Sequence, residues 1–218
     1  MVLQGAAGEL ISTSGKWPSN IQRDMLRRCK AAKVAYMQKH IHAHPLGCVV
    51  CKSLPVALPH EVLPWLVRQG ILPVDDTDQI QKFWDHARST GMPTMGAADF
   101  HIPLYVWGDD ARFTETHEDK LVAVAFGRLM ENSKNALQTV WPLFVYQQGQ
   151  SAGPGTLNTF MEEVVNSFNI LFSEGVMVET PSGQRKRVYA AVVQYQGDWK
   201  WHKAGLWDLH KLAARISV

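Results

Sequence analysis

The chain has few cysteines and no long apolar run. Its three cysteines, Cys29, Cys48 and Cys51, all lie in the first quarter of the sequence. An odd, clustered set of this kind does not form the disulfide framework of a secreted protein. No apolar run reaches the roughly 18 residues that suggest a membrane-spanning helix, and the N-terminus lacks the pattern of a secretory signal. We therefore expect an intracellular protein without membrane insertion.

A strong charge of either sign is also lacking. The chain has 22 Lys and Arg against 20 Asp and Glu, and its formal net charge is +2. Binding to DNA or RNA would therefore rest on local basic patches and not on bulk charge. The composition, 46% hydrophobic and 19% charged, is that of a folded globular protein and excludes a disordered one.

The first 97 residues are predicted to form a mostly helical N-terminal segment. Apolar residues at helical spacing among many bases predict a basic amphipathic helix over 21–41. Capping-type residues followed by the same spacing predict another helix over 76–90. Between them, prolines divide the chain into extended pieces and short helices. These prolines are Pro45, Pro55, Pro59 and Pro64.

The periodicity changes near residue 98, which marks the predicted start of a second domain, residues 98–218. Short apolar or alternating runs separated by polar turns predict strands, and a long apolar stripe predicts a helix. The predicted strands cover 101–110, 120–130, 136–148, 176–180 and 185–196, the long helix covers 156–175, and a closing helix covers 198–218. This order of elements predicts an α/β domain.

Two Gly-Asp pairs each follow a strand-like run. Asp109 follows Gly108, and Asp198 follows Gly197. Mg²⁺ takes oxygen ligands and commonly needs only one or two protein carboxylates beside substrate phosphates and waters. If the two strands are neighbours, both carboxylates would serve one site for metal-assisted phosphoryl transfer. The alternative is ordinary turn chemistry, in which each Asp caps the segment that follows.

The segments that carry these pairs resemble the DDE-type transposase-like proteins of mobile elements, in forms abundant in algae and dinoflagellates. The similar segments, in the expected order, are LPHEVLPWL, HIPLYVWGDDARF, LFSEGVMV and YAAVVQYQGDWKWHKAGL. The resemblance implies a ribonuclease-H-like mixed sheet with flanking helices. It also implies that Asp109, with Asp110 as its adjacent alternative, and Asp198 are catalytic Mg²⁺ ligands for DNA cleavage and strand transfer.

The resemblance further implies a third acid, which in this family lies well beyond the second. The sequence ends at Val218 without one, and Asp208 lies within a predicted helix. We therefore expect a truncated, transposase-derived nucleic-acid-binding domain that is inactive as this chain alone, and a nuclear location. The alternative is a structural or assembly subunit of a larger protein complex that uses the fold as a scaffold.

The densest basic run is a candidate for contact with nucleic-acid phosphates. It consists of Arg185, Lys186 and Arg187, and Lys200 and Lys203 add positive charge close to Asp198. A substrate strand must pass close to the metal site, which favours phosphate contact for the last two. The first three are equally well explained as a soluble turn.

A cluster of histidines and cysteines predicts a possible zinc site. His40, His42 and His44 precede Cys48 and Cys51. Tetrahedral Zn²⁺ accepts four such ligands, for which Cys48, Cys51, His42 and His44 are the candidates. The alternative is a pair of buried thiols that act as small hydrophobic groups beside solvent-facing imidazoles.

Overall fold

The computed structural model describes residues 37–43, 50–94, 96–112, 120–130, 139–152 and 154–197. Its strands are β1 Met37–Ala43, β2 Val50–Val56, β3 His101–Arg112, β4 Lys120–Arg128, β5 Val140–Gln147, β6 Val176–Glu179 and β7 Arg185–Gly197. Its helices are α1 Pro59–Arg68, α2 Thr77–Ser89 and α3 Pro154–Ser173, with a short 3₁₀ turn at Gln148–Gln150. No helix among these residues is both long and apolar enough to cross a membrane.

Five strands form one mixed sheet in the order β5-β4-β3-β7-β6. The central strand β3 pairs antiparallel with β4 and parallel with β7. The outer strands β5 and β6 pair antiparallel with β4 and β7. The α/β class and the mixed sheet with flanking helices, predicted from the sequence, are therefore confirmed. Strands β1 and β2 form a separate antiparallel hairpin.

Two bulges set the register of the sheet. Opposite Leu104 and Tyr105 of β3, the pairing passes from Val192 to Gln194, so that Val193 is an extra residue on β7. The second bulge lies on the outer strand β5 next to Pro142. Proline has no N–H to donate, and an outer strand with a bulge is where a sheet accepts it.

The core lies between the sheet and α3. Apolar residues at helical spacing give α3 a buried stripe that includes Phe160 and Val164. Phe160 stacks on Phe144 of β5 with ring centroids 4.6 Å apart, and Phe168 meets the ring of Phe126 of β4 edge to face at 5.9 Å. Burying one such aromatic side chain contributes roughly 2 kcal/mol.

Helices α1 and α2 pack into the same core. Leu63 and Leu66 of α1 and Trp84 of α2 are fully buried and belong to one cluster with the sheet residues. The indole N–H of Trp84 donates to the carbonyl of His101 at 2.8 Å, which ties α2 to the start of β3. Buried residues before and after residue 98, where the second domain was predicted to start, thus belong to one core cluster.

The N-terminal part differs from the helical prediction where the structure describes it. Residues 37–41, placed at the end of a predicted basic helix, belong to strand β1. They pair with β2, and this pairing outweighs the local helical spacing. Residues 1–36 and the predicted closing helix 198–218 lie outside the described residues.

Candidate metal and nucleic-acid site at one end of the sheet

The two Gly-Asp pairs lie on neighbouring parallel strands. Gly108 of β3 and Gly197 of β7 are direct register partners. Neighbouring strands in a sheet are about 4.8 Å apart. The condition that the sequence left open, that the two strands be neighbours, is therefore met. Asp198 follows Gly197 in the sequence and lies outside the described residues.

The first Gly-Asp pair is not a turn. Strand β3 continues past Gly108 to Arg112, and Asp109 and Asp110 pair with Ala123 and Val122 of β4. Glycine and aspartate are depleted in strands because they pack poorly on a pleated surface. A Gly-Asp-Asp sequence inside the central strand is thus locally unfavourable, which is typical of a residue kept for function.

The two adjacent carboxylates of β3 have different surroundings. Successive side chains of a strand point to opposite faces, so Asp109 and Asp110 do not share a face of the sheet. Asp110 Oδ2 accepts a hydrogen bond from Lys120 Nζ at 2.9 Å, and both side chains are largely buried. Asp109 Oδ1 accepts the backbone N–H of Asp110 at 2.8 Å, which fixes the Asp109 carboxylate against its own strand.

Gly197, the residue before Asp198, has a backbone conformation that favours glycine. Its φ of +153° lies in a region that is essentially restricted to glycine. A residue with a side chain would therefore be strained at this point. This explains a glycine here on backbone grounds alone, without reference to chemistry at Asp198.

Within the described residues, no three His, Cys, Asp or Glu side chains form a group that could hold a metal ion. Asp109 supplies one fixed carboxylate at the position where β7 reaches Gly197. Oxygen donors of this kind fit Mg²⁺, which commonly takes few protein ligands. Asp198, Lys200 and Lys203 all lie outside the described residues.

The basic run lies at the far end of the same strand from this site. About ten residues of β7 separate Arg187 from Gly197, which at roughly 3.3 Å per residue is on the order of 30 Å. Lys186 Nζ donates to the carbonyl of Val74 at 2.7 Å and forms an ion pair with Asp75. Within this run, only Arg185 and Arg187 have exposed side chains. Because of the separation along β7, the structure does not bring the run together with Asp109.

Two of the four candidate zinc ligands are opposite each other in the hairpin. His42 of β1 is the register partner of Cys51 of β2. Directly opposed residues of an antiparallel pair have Cα atoms roughly 4.5–5.5 Å apart. His44 and Cys48 lie in the connection between the strands, outside the described residues.

A close Ser–His pair, which sequence reasoning missed, joins α1 to α3. Ser167 Oγ lies 2.7 Å from His60 Nδ1 and accepts the His60 backbone N–H at 3.0 Å. Ser167 is buried inside a helix, so its hydroxyl is not presented to a substrate. The pair therefore stabilises the helix crossing, and its sequence separation of 107 positions left no local signal.

A buried ion pair was also missed. The guanidinium of Arg128, at the end of β4, binds the Asp76 carboxylate and donates to the carbonyl of Pro73 at 2.9 Å. Asp76 precedes α2 and reads as a capping residue in the sequence, yet its side chain makes no capping hydrogen bond. It instead balances a charge that is 3% exposed.

In comparisons with known proteins, no family model, curated protein or solved structure matches the chain.

Proposed function

We propose that this chain is a transposase-derived, ribonuclease-H-like domain that binds nucleic acid and holds a divalent cation between Asp109 and Asp198. The observation that supports the proposal is the direct pairing of Gly108 with Gly197 on parallel strands. Because β3 and β7 are parallel, both strands run in the same direction through this pair of glycines, and each glycine is followed in the sequence by an aspartate. The turn explanation of the first pair fails, because Asp109 lies within β3.

Asp109 is a better candidate ligand than Asp110. Asp109 directly follows Gly108, the register partner of Gly197, and Asp198 directly follows Gly197 in the sequence. The Asp110 carboxylate is already balanced by the ammonium group of Lys120.

Mg²⁺ at this site would polarise a phosphodiester and activate water in the ancestral reaction. Side chains of the protein would position the substrate backbone. The carboxylate of Asp109 would set where the cation lies. Lys200 and Lys203 follow Asp198 in the sequence and would contact the phosphates of the substrate. We infer binding without efficient cleavage, because the proposed cation site has only two carboxylate ligands, Asp109 and Asp198.

Cation binding is tested with Mn²⁺ in place of Mg²⁺. Electron paramagnetic resonance measures the number of Mn²⁺ ions bound per chain and their affinity. We expect one site in the full chain, and Asp109→Asn and Asp198→Asn each to weaken binding about tenfold or more. Asp78→Asn is the matched control, since Asp78 is an exposed acid in the first turn of α2. Full Mn²⁺ affinity in Asp109→Asn would contradict the proposal.

Nucleic-acid binding is tested by fluorescence anisotropy with labelled duplex and single strands at several salt concentrations. We expect affinity to fall with salt, and the double variant Lys200→Gln/Lys203→Gln to reduce the slope by about two phosphate contacts. Arg185→Gln, at the far end of β7, should leave the slope unchanged. Absence of binding at low salt would instead favour a scaffold or assembly subunit.

We also propose that zinc binds at the β1–β2 hairpin, supported by the register of His42 opposite Cys51. Elemental analysis of the protein purified without added metal should give one zinc per chain. Cys51→Ser should lower this ratio, and Cys29→Ser should leave it unchanged. A ratio near zero in the unaltered protein would end the zinc hypothesis.

A further inference from the structure

A cleft of about 430 Å³ lies between the first turns of α2 and the beginnings of β3 and β7. We refer to it as the α2 cleft. Its aliphatic lining residues are Val74, Ile80, Ile102 and Val188. Sites for small molecules are typically concave, mostly apolar and roughly 300–1,000 Å³ in volume. The cleft fits this description and lies at the opposite end of the sheet from Asp109.

The wall of the α2 cleft includes a fixed aromatic ring. Phe100 is 58% exposed, although it is a large apolar side chain. Its ring stacks on His101 with centroids 4.8 Å apart and meets Tyr189 edge to face at 5.1 Å. His101 is held in turn, because its Nδ1 accepts the Ala98 N–H at 2.9 Å and its Nε2 lies 3.0 Å from the carbonyl of Phe172. Phe100 therefore presents a supported, flat apolar surface to solvent.

Among the described residues, the charges around the α2 cleft leave one positive group without a carboxylate partner. Lys186 forms an ion pair with Asp75, and Asp99 forms one with Arg88. Within the part of the chain that the structure describes, Arg187 makes its hydrogen bond to the neutral carbonyl of Glu174, at 2.7 Å. A guanidinium has five N–H donors, so Arg187 retains most of them for an anion.

We propose that the α2 cleft binds a small molecule that combines a flat apolar body with one carboxylate or sulfonate group. The body would lie against Phe100 and the apolar lining, and the anion would bind Arg187. Guanidinium matches the geometry of such oxyanions and binds them through two parallel hydrogen bonds. This site is separate from the Asp109 end of the sheet and does not depend on the function proposed for it.

The test uses two probes that share an aromatic body and differ in charge: 1-anilinonaphthalene-8-sulfonate and uncharged N-phenyl-1-naphthylamine. Fluorescence titration of the full chain should give saturable binding of the sulfonate with one site per chain. Arg187→Gln should weaken sulfonate binding about tenfold or more and change the affinity for the uncharged probe by less than about twofold. Phe100→Ala should weaken both probes.

Arg185→Gln is the matched control, because Arg185 is an exposed arginine two positions away that does not line the cleft. It should leave both affinities unchanged, and thermal unfolding should show that each variant is folded. The proposal is overturned by non-saturable binding, or by a folded Arg187→Gln protein that binds the sulfonate as well as the original protein does.

Discussion

The buried pair of Arg128 and Asp76 allows a quantitative test of the packing between β4 and α2. The Arg128 side chain is 2% exposed and that of Asp76 is 23% exposed. Asp76→Ala would leave a buried guanidinium whose one remaining partner, among the residues that the structure describes, is the carbonyl of Pro73. Removing one partner of a buried pair in this way typically destabilises a protein by about 3–5 kcal/mol.

The reverse change should be milder. In Arg128→Met, the remaining carboxylate is partly exposed and can reach water, so we expect a loss of about 1–3 kcal/mol. Arg128 Nε and Asp76 Oδ1 are both buried and have no hydrogen-bond partner in the described part of the chain. The original pair is thus imperfectly satisfied, and apolar replacement of both members should cost only about 0–2 kcal/mol.

The assay is urea unfolding followed by circular dichroism, for the two single variants and for Arg128→Met/Asp76→Ala. We expect the double variant to be more stable than Asp76→Ala, with a coupling free energy of at least about 2 kcal/mol. Arg185→Gln serves as an exposed control and should not change the midpoint. If the two single losses add to within about 0.5 kcal/mol, the pair does not act as a unit and the reasoning is refuted.

Three further predictions concern local stability. Gly175→Ala should destabilise the protein by more than the roughly 1–2 kcal/mol of a left-handed residue, because the new Cβ would lie 2.6 Å from the Val188 carbonyl. Gly183→Ala, with a φ of +81° and open space around it, should lose no more than that amount, and urea unfolding of both variants checks this difference. Burial raises the pKa of Tyr146 from 10.0 to about 12, so the unfolded state ionises first and stability should fall between pH 10 and 12. Urea midpoints across that range should fall less steeply in Tyr146→Phe, and equal slopes would contradict this. Ser167→Ala should cost about 1–2 kcal/mol by leaving the partly buried N–H of His60 without this acceptor, and a neutral result in urea unfolding would argue against the helix link.

Much of the sheet could be predicted from the sequence, because its strands have clear local signals. Alternating or apolar runs between turn residues correctly predicted β3, β4, β5 and the β6–β7 hairpin, and α3 followed from its apolar stripe and the glycine after it. The end of the basic helix was wrong because residues 37–41 pair with β2, and local spacing carries no information on that partner.

The partners of charged groups were harder to predict than the strands. Lys186 binds a carboxylate 111 positions earlier in the chain, and Arg128 binds one 52 positions earlier. The basic run at 185–187 was predicted to contact nucleic acid, but one of its residues, Lys186, forms an ion pair with Asp75 within the fold. The sequence alone could not predict that the two Gly-Asp pairs lie on neighbouring strands, because the order of strands in a sheet depends on packing across the whole domain.

The extra residue Val193 has a consequence for how this domain can change over evolution. Before the bulge, Leu104 pairs with Val192, and beyond it the pairing is shifted by one, which is what aligns Gly108 with Gly197. A one-residue shift also exchanges the faces of every following side chain. Deleting Val193 would cause no such shift, because it removes the bulge itself: Leu104 would still pair with Val192, and Gly108 would still pair with Gly197. A single-codon deletion at this position would therefore straighten β7 and leave the two Gly-Asp pairs on neighbouring positions, whereas a deletion elsewhere in the strand would shift their register.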